Sequence, residues 1–380
     1  MPRARNPFKP SAGSDPPLLV GRSGLVDEFS ESIEDGPGAP GRTTIFTGPR
    51  GVGKTVMLNA IGERVQAHYQ WRVIHETATP GLLDRLTARS LHLTTAAHSS
   101  GRAITGLSVA GVEALSLAAP VAPAEMGLRE ALGALLDELE SNDTGLLITV
   151  DEVHAGKLRD ELPQFAAIVQ HLVREDREIA VAMAGLPSGV SELLNDQVTT
   201  FLRRAERHVL GEVDLADVRA ALEQTVTAHD RTITDPALDA ATRATNGYPF
   251  MIQLVGYHLW RQASDSAIGL DDVKAGISAA RQRLESLVHS TAMADLSQID
   301  RRFLALMAQD NGTTSVEAIR VRLGKSARYV SVYRRRLIDA GMIAPAGRGR
   351  VAFALPFLRE YLRERAEQYL ADEDPGPESA

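Results

Sequence analysis

Gly48-Pro49-Arg50-Gly51-Val52-Gly53-Lys54-Thr55 is the stretch on which the fold turns. It fits G-x-x-x-x-G-K-[ST]. The β-branched run Thr43-Thr44-Ile45-Phe46-Thr47 precedes it, and a helical pattern, Val56 to Ala67, follows. Strand, glycine loop and helix in that order let backbone N–H groups turn inward onto phosphate oxygens, with the positive end of the helix dipole behind them. The candidate phosphate cradle is therefore Gly48 to Val56. Lys54 can reach the β- and γ-phosphates and the Thr55 hydroxyl can ligate Mg²⁺.

A second stretch completes the chemistry. Leu146-Leu147-Ile148-Thr149-Val150 reads as a buried strand, and it ends in Asp151-Glu152. The first carboxylate is placed to hold Mg²⁺ and the second to polarise an attacking water. Further strands are expected at 71–75 and 179–183, and helices at 25–33, 125–140 and 162–174. Strands alternating with helices imply parallel β/α units. Residues 1–17, with five prolines, read as a mobile tail. Residues 78–123 read as an insertion, with a hairpin expected across 104–117. From Asp214 to about Ser290 the pattern is helical only.

Composition narrows the classes. The chain has 380 residues, 44% hydrophobic and 24% charged, which suits a folded protein of two or three domains. It has no cysteine, hence no disulfide frame, thiolate zinc site or cysteine nucleophile. No apolar run approaches the length of a membrane span, and the basic N-terminus lacks the apolar segment of a signal peptide. A cytoplasmic location is the default expectation. The scattered histidines make no metal-ligand pattern, and no Gly-x-Ser-x-Gly elbow is present.

The net charge of −8 is unevenly spread. Between Ala318 and Arg350 stand nine basic residues against Asp339 alone, a local +8, which leaves −16 for the rest. In that segment Ser315 can cap a helix to Leu323, Gly324-Lys325 makes a turn, and Ser326 can cap a helix from Ala327 to Ala340. Two strands, 342–344 and 351–355, flank a Gly347-Arg348-Gly349-Arg350 turn. Behind the helix 296–309, this order resembles a winged helix-turn-helix. Such modules put the third helix in the DNA major groove and the wing on phosphate or the minor groove. Val330, Leu337 and Ile338 are expected inward. The candidate DNA-binding residues are Lys325, Ser326, Arg328, Tyr329, Ser331, Arg335, Arg336, Arg348 and Arg350. The alternative is a winged helix that contacts protein, its arginines paired with acidic groups.

The entry Val20-Gly21-Arg22, the Gly48–Thr55 loop and Asp151-Glu152 together resemble an AAA+ ATPase of the origin-recognition/Cdc6-like or STAND-related type. The resemblance implies a P-loop NTPase α/β core of three layers with a parallel sheet, an all-α lid and the winged helix. Expected boundaries are 18–212 for the core, 213–290 for the lid, 291–366 for the winged helix and 367–380 for an acidic tail. It further implies ATP and Mg²⁺ as ligands, nucleotide contacts from Val20, Gly21 and Arg22, and contacts from Tyr248 and Pro249 of a lid Gly-x-Pro. It places Arg203 and Arg204 where these families supply arginines to the γ-phosphate, often from a neighbouring subunit, so a homo-oligomer is expected. Two departures stand out. The fourth strand runs into Ala184-Gly185-Leu186 without the usual polar sensor, for which Ser188 is a candidate substitute. The lid lacks a plain sensor arginine, leaving Arg243 and Arg261 as candidates. Three readings remain open: an ATPase acting on duplex DNA, a nucleotide-gated signalling switch with little hydrolysis, and a P-loop small-molecule kinase.

Overall fold

The computed structural model describes residues 5–11, 16, 18–100, 126–153, 158, 160–195, 200–263 and 266–370. The hairpin expected at 104–117, His154 and most of the acidic tail lie outside these residues. The first elements are α1 (Ser23–Glu34), β1 (Thr43–Thr47), α2 (Lys54–Tyr69), β2 (Arg72–Thr77), α3 (Leu82–Ser100), α4 (Leu128–Glu140) and β3 (Leu146–Asp151). Next come α5 (Glu161–Arg174), β4 (Ile179–Gly185), α6 (Pro187–Asn195) and β5 (Glu206–Val209). The five strands form one sheet of order β2-β3-β4-β1-β5, every pairing parallel. β3 and β4 are apolar along almost their whole length because helices cover both faces. On one face α1 and α2 bury Phe29, Met57 and Ile61; on the other α4 and α5 bury Leu132, Leu136 and Phe165.

Two expectations for this region change. The first part of the expected insertion is α3, whose Leu82 and Leu86 are fully buried against α4 and β2. Leu82, Leu86, Ser90 and Leu93 follow a helical period that the neighbouring Ser, Thr and Ala residues obscure. β5 was not expected, since Glu206-Arg207-His208-Val209 is a polar edge strand without an alternating pattern.

α7 (Leu215–Thr227), α8 (Asp235–Thr245), α9 (Pro249–Gln262) and α10 (Leu270–Leu284) follow, with the short parallel pair β6 (Thr232–Ile233) and β7 (Ala267–Ile268) between them. The helical-only expectation thus misses one two-residue pairing. The N-terminal stretch is a strap on α9. Phe8 is 3% exposed and lies where a Cβ on Gly256 would stand. Asn6 Nδ2 donates to Tyr257 O at 2.9 Å, and Lys9 N–H to Gln253 Oε1 at 3.1 Å. The prolines suit an extended strap as well as a mobile tail, and only the docked phenylalanine separates the two. Phe8→Ala is expected to cost about 3 kcal/mol of stability, the usual penalty for emptying a buried aromatic site. It should be read as a lower urea midpoint at unchanged slope.

The chain ends in α11 (Ser290–Ala294), α12 (Gln298–Met307), β8 (Thr314–Ser315), α13 (Val316–Leu323), α14 (Ala327–Asp339), β9 (Ile343–Pro345), β10 (Arg350–Phe353), α15 (Leu358–Glu364) and α16 (Ala366–Leu370). β8, β10 and β9 form an antiparallel sheet in that order. Its core holds Phe303, Leu304, Ile319, Val330, Leu337 and Val351. In chain order the helices α12, α13 and α14 precede the hairpin of β9 and β10.

Candidate functional site

The loop between β1 and α2 is shaped by Gly51 at φ +73° and Gly53 at φ +87°, a region open to glycine at little cost. Lys54 opens α2 and folds back over the loop, its Nζ donating to Gly48 O at 2.9 Å and Pro49 O at 2.7 Å. Thr55 Oγ1 donates to Asp151 Oδ2 at 2.5 Å, which joins the loop to the end of β3. Glu152 is next in the chain and exposed, its backbone N–H donating to Asp151 Oδ1 at 2.7 Å. Glu152 adopts φ +55°, the left-handed region that non-glycine residues enter at a cost, and such strain collects at functional sites. Lysine, threonine and two carboxylates thus meet at the C-terminal edge of a parallel sheet, where α/β folds bind ligands.

Burial pushes the Lys54 ammonium down to about 8, against the raising pull of Asp151. A bound triphosphate favours the ammonium, so binding above that value must also take up a proton. ATP affinity is therefore expected to be flat below pH 8 and to fall up to about tenfold per unit above it. ATP titrations across pH 7 to 10 read this directly, and constant affinity over the range would contradict it.

The remaining expected contacts stand behind the loop. Val20 and Gly21 lead into Arg22, whose guanidinium is buried and donates to Val52 O and, at 2.7 Å, to Gly211 O. Burial pushes Arg22 down to about 10. Tyr248 is 1% exposed; its hydroxyl donates to Arg50 O at 3.0 Å, and Phe250 N–H donates to Gly51 O at 3.2 Å. Pro249 is the first residue of α9, so the entry to that helix rests on the loop. A Cβ on Gly51 would run into the Tyr248 ring, so the packing as well as the conformation requires glycine there. Phe250 and the Leu210-Gly211 turn were not foreseen. Their contacts are main-chain ones, which leave no mark on residue type.

Arg203 and Arg204 lie in a short 3-10 helix, Thr200–Arg204, both exposed, with Arg203 Nε donating to Leu194 O at 2.8 Å. Ser188 corrects an expectation. Its hydroxyl donates to Asp339 O at 3.3 Å, toward the C-terminal elements rather than the loop. Beside Thr55 and Asp151 a cleft of about 370 Å³ opens, lined by Asn59, His75, Glu76 and Arg85 among others. Arg85 pairs there with Glu76 at 2.8 Å.

The basic segment divides in two. On α14, Arg328, Ser331 and Arg335 are exposed, and Ser326 Oγ accepts the Tyr329 N–H as N-cap. Lys325 lies over the Tyr329 ring. Arg348 sits at the hairpin tip between Gly347 and Gly349, both at positive φ. Arg336 and Arg350 depart from the expected set. Arg336 pairs at 2.9 Å with Asp300, which is 1% exposed, and Arg350 donates to both Thr313 oxygens. Both partners are distant in sequence, and a buried carboxylate draws the nearest guanidinium. Arg320 and Arg322 pair with Glu317 and Asp310.

Among the described residues no helix is long and apolar enough to cross a membrane, and no cluster of His, Asp and Glu forms a metal site.

Residues 18–183 match the family described as AAA ATPase domain, and residues 286–362 match a domain of unknown function, DUF8462. No curated protein matches the chain. Among solved structures, a Walker-type ATPase of Pyrococcus abyssi superposes with TM-score 0.63 at 15% identity, over 91% of this chain and 96% of that one. The ORC2 protein of Aeropyrum pernix, solved as ADPNP–ADP complexes, gives 0.60 at 14% identity, over 95% and 97%. At these identities the likeness is one of fold.

Proposed function

We propose that the chain, whose residues 18–183 match the AAA ATPase domain family, binds ATP with Mg²⁺, hydrolyses it, and carries its nucleotide state to duplex DNA. The supporting observation is the junction of Lys54, Thr55, Asp151 and Glu152 at one sheet edge. In this reading 18–212 is the core, 213–290 the lid and 291–366 a winged helix.

The loop amides of residues 48–56 and the Lys54 ammonium hold the triphosphate, with Arg22, Tyr248 and Pro249 bracing the loop from behind. Thr55 Oγ1 and Asp151 Oδ2 are hard oxygen donors in contact beside the loop, a pair that fits a divalent cation. When bound there, Mg²⁺ neutralises phosphate charge. Glu152 accepts a proton from water as the water oxygen bonds to the γ-phosphorus and the bond to the β-phosphate oxygen breaks. Arg203 or Arg204 of a second copy supplies positive charge to that γ-phosphate. The C-terminal module presents Arg328, Ser331 and Arg335 to the major groove and Arg348 to phosphate.

ATP turnover of the purified protein, with and without duplex DNA, tests the enzyme reading. Binding of a mixed-sequence duplex between 50 and 200 mM salt tests the partner: several arginine–phosphate contacts lower affinity by orders of magnitude over that range. A second reading, a nucleotide-gated switch with little hydrolysis, draws support from the apolar corner Ala184-Gly185-Leu186 and from Ser188 turning away. Nucleotide retained through purification together with negligible turnover would favour it.

A further inference from the structure

The corner at the end of β4 is covered from an unexpected direction. Leu186, 6% exposed, packs on Gly341, and Ser188 holds the carbonyl of Asp339, the last residue of α14. Gly341 has φ +69°, and a Cβ there would come 3.2 Å from Leu186 Cδ1, so the contact is close on both counts. On its other side the same corner supports the carboxylates. Val153 N–H donates to Ala184 O at 2.8 Å, and Gly185 lies against Val153 O. Val153 is fully buried and follows Glu152, which has left-handed backbone and an N–H bonded to Asp151 Oδ1.

A short physical path therefore runs from Asp151-Glu152 through Val153, Ala184 and Leu186 to α14. The same helix shows Arg328 and Ser331 to solvent on turns away from the docked end, and the exposed Arg335, one turn before that end, pairs with Asp339 at 3.8 Å. Where a polar sensor was expected, this chain has a brace from its C-terminal module.

We infer that Leu186 and Ser188 are positioning residues, through which the docked end of α14 sets the Asp151-Glu152 strand end and duplex DNA on α14 alters ATP turnover. This rests on the proposed ATPase and DNA-binding function.

The test uses the full chain, ATP, ADP and a mixed-sequence duplex. In wild type, DNA changes kcat by at least about fivefold, and exchanging ADP for ATP changes DNA affinity by a similar factor, a typical size for coupled sites. In Leu186→Ala/Ser188→Ala both factors fall below about twofold. KM for ATP and DNA affinity in ADP stay within about twofold of wild type. Leu186→Met restores the coupling. Ser188→Ala alone, which removes one hydroxyl, weakens it at unchanged thermal unfolding. Coupling that survives in the double variant overturns the inference, as does a wild type that binds DNA and turns over ATP without mutual effect. A wild type that binds no DNA or hydrolyses no ATP overturns the function beneath it as well, and shows this in the binding or turnover itself.

Discussion

Lys54→Ala is expected to lower ATP affinity by about 100-fold or more. The ammonium makes charge-assisted contacts, each worth about 1.5–3 kcal/mol, and every 1.4 kcal/mol is tenfold in affinity. In the structure the same group bridges the carbonyls of Gly48 and Pro49. The loop keeps its shape from other sources: the positive φ of Gly51 and Gly53, Arg22 on Val52, and the Tyr248 hydroxyl on Arg50. The variant is therefore expected to fold, and its defect is specific. ATP at about 100 times its dissociation constant stabilises wild type by about 2.7 kcal/mol, visible as a higher melting temperature. At the same concentration, about equal to its own dissociation constant, the variant should keep only about 0.4 kcal/mol of that stabilisation. An undiminished rise would place the nucleotide elsewhere.

Glu152→Gln has the second large effect, on turnover rather than affinity. The amide keeps the size of the carboxylate but cannot take a proton, and general-base contributions are commonly about 10²–10⁴-fold in rate. The backbone N–H of residue 152 still bonds Asp151, so the pocket that holds ATP is preserved. The expected protein binds ATP as wild type does and accumulates it unhydrolysed. Equal turnover in the variant and wild type would remove Glu152 from the reaction. If wild type itself is as slow as the variant, the switch reading gains, and the apolar Ala184-Gly185-Leu186 corner becomes its structural reason.

The parts of this molecule that a sequence reveals are those written in consecutive residues. Gly48 to Thr55 is one loop, its strand and helix adjoin it, and Asp151-Glu152 ends one apolar run. The α14 cap is equally local, since Ser326 and Tyr329 are three residues apart. What stayed hidden depends on distant partners. Phe8 is an unremarkable tail residue until Gly256 leaves room for it. Arg336 belongs with the exposed arginines by helical spacing, yet Asp300 claims it from another helix. Ser188 had the right residue type and rough position for a sensor, but its hydroxyl donates to the Asp339 carbonyl. β5 at the sheet edge has no apolar face to declare it, and α3 hides its leucines among small polar residues.

The most direct measurement is a crystal structure determined with ATP and Mg²⁺. The expected result is a triphosphate cradled by the amides of residues 48–56, the Lys54 ammonium on its β- and γ-oxygens, and Thr55 with Asp151 at the cation. Nucleotide density elsewhere, or a loop whose carbonyls face the ligand while Lys54 stays on Gly48 and Pro49, would contradict it.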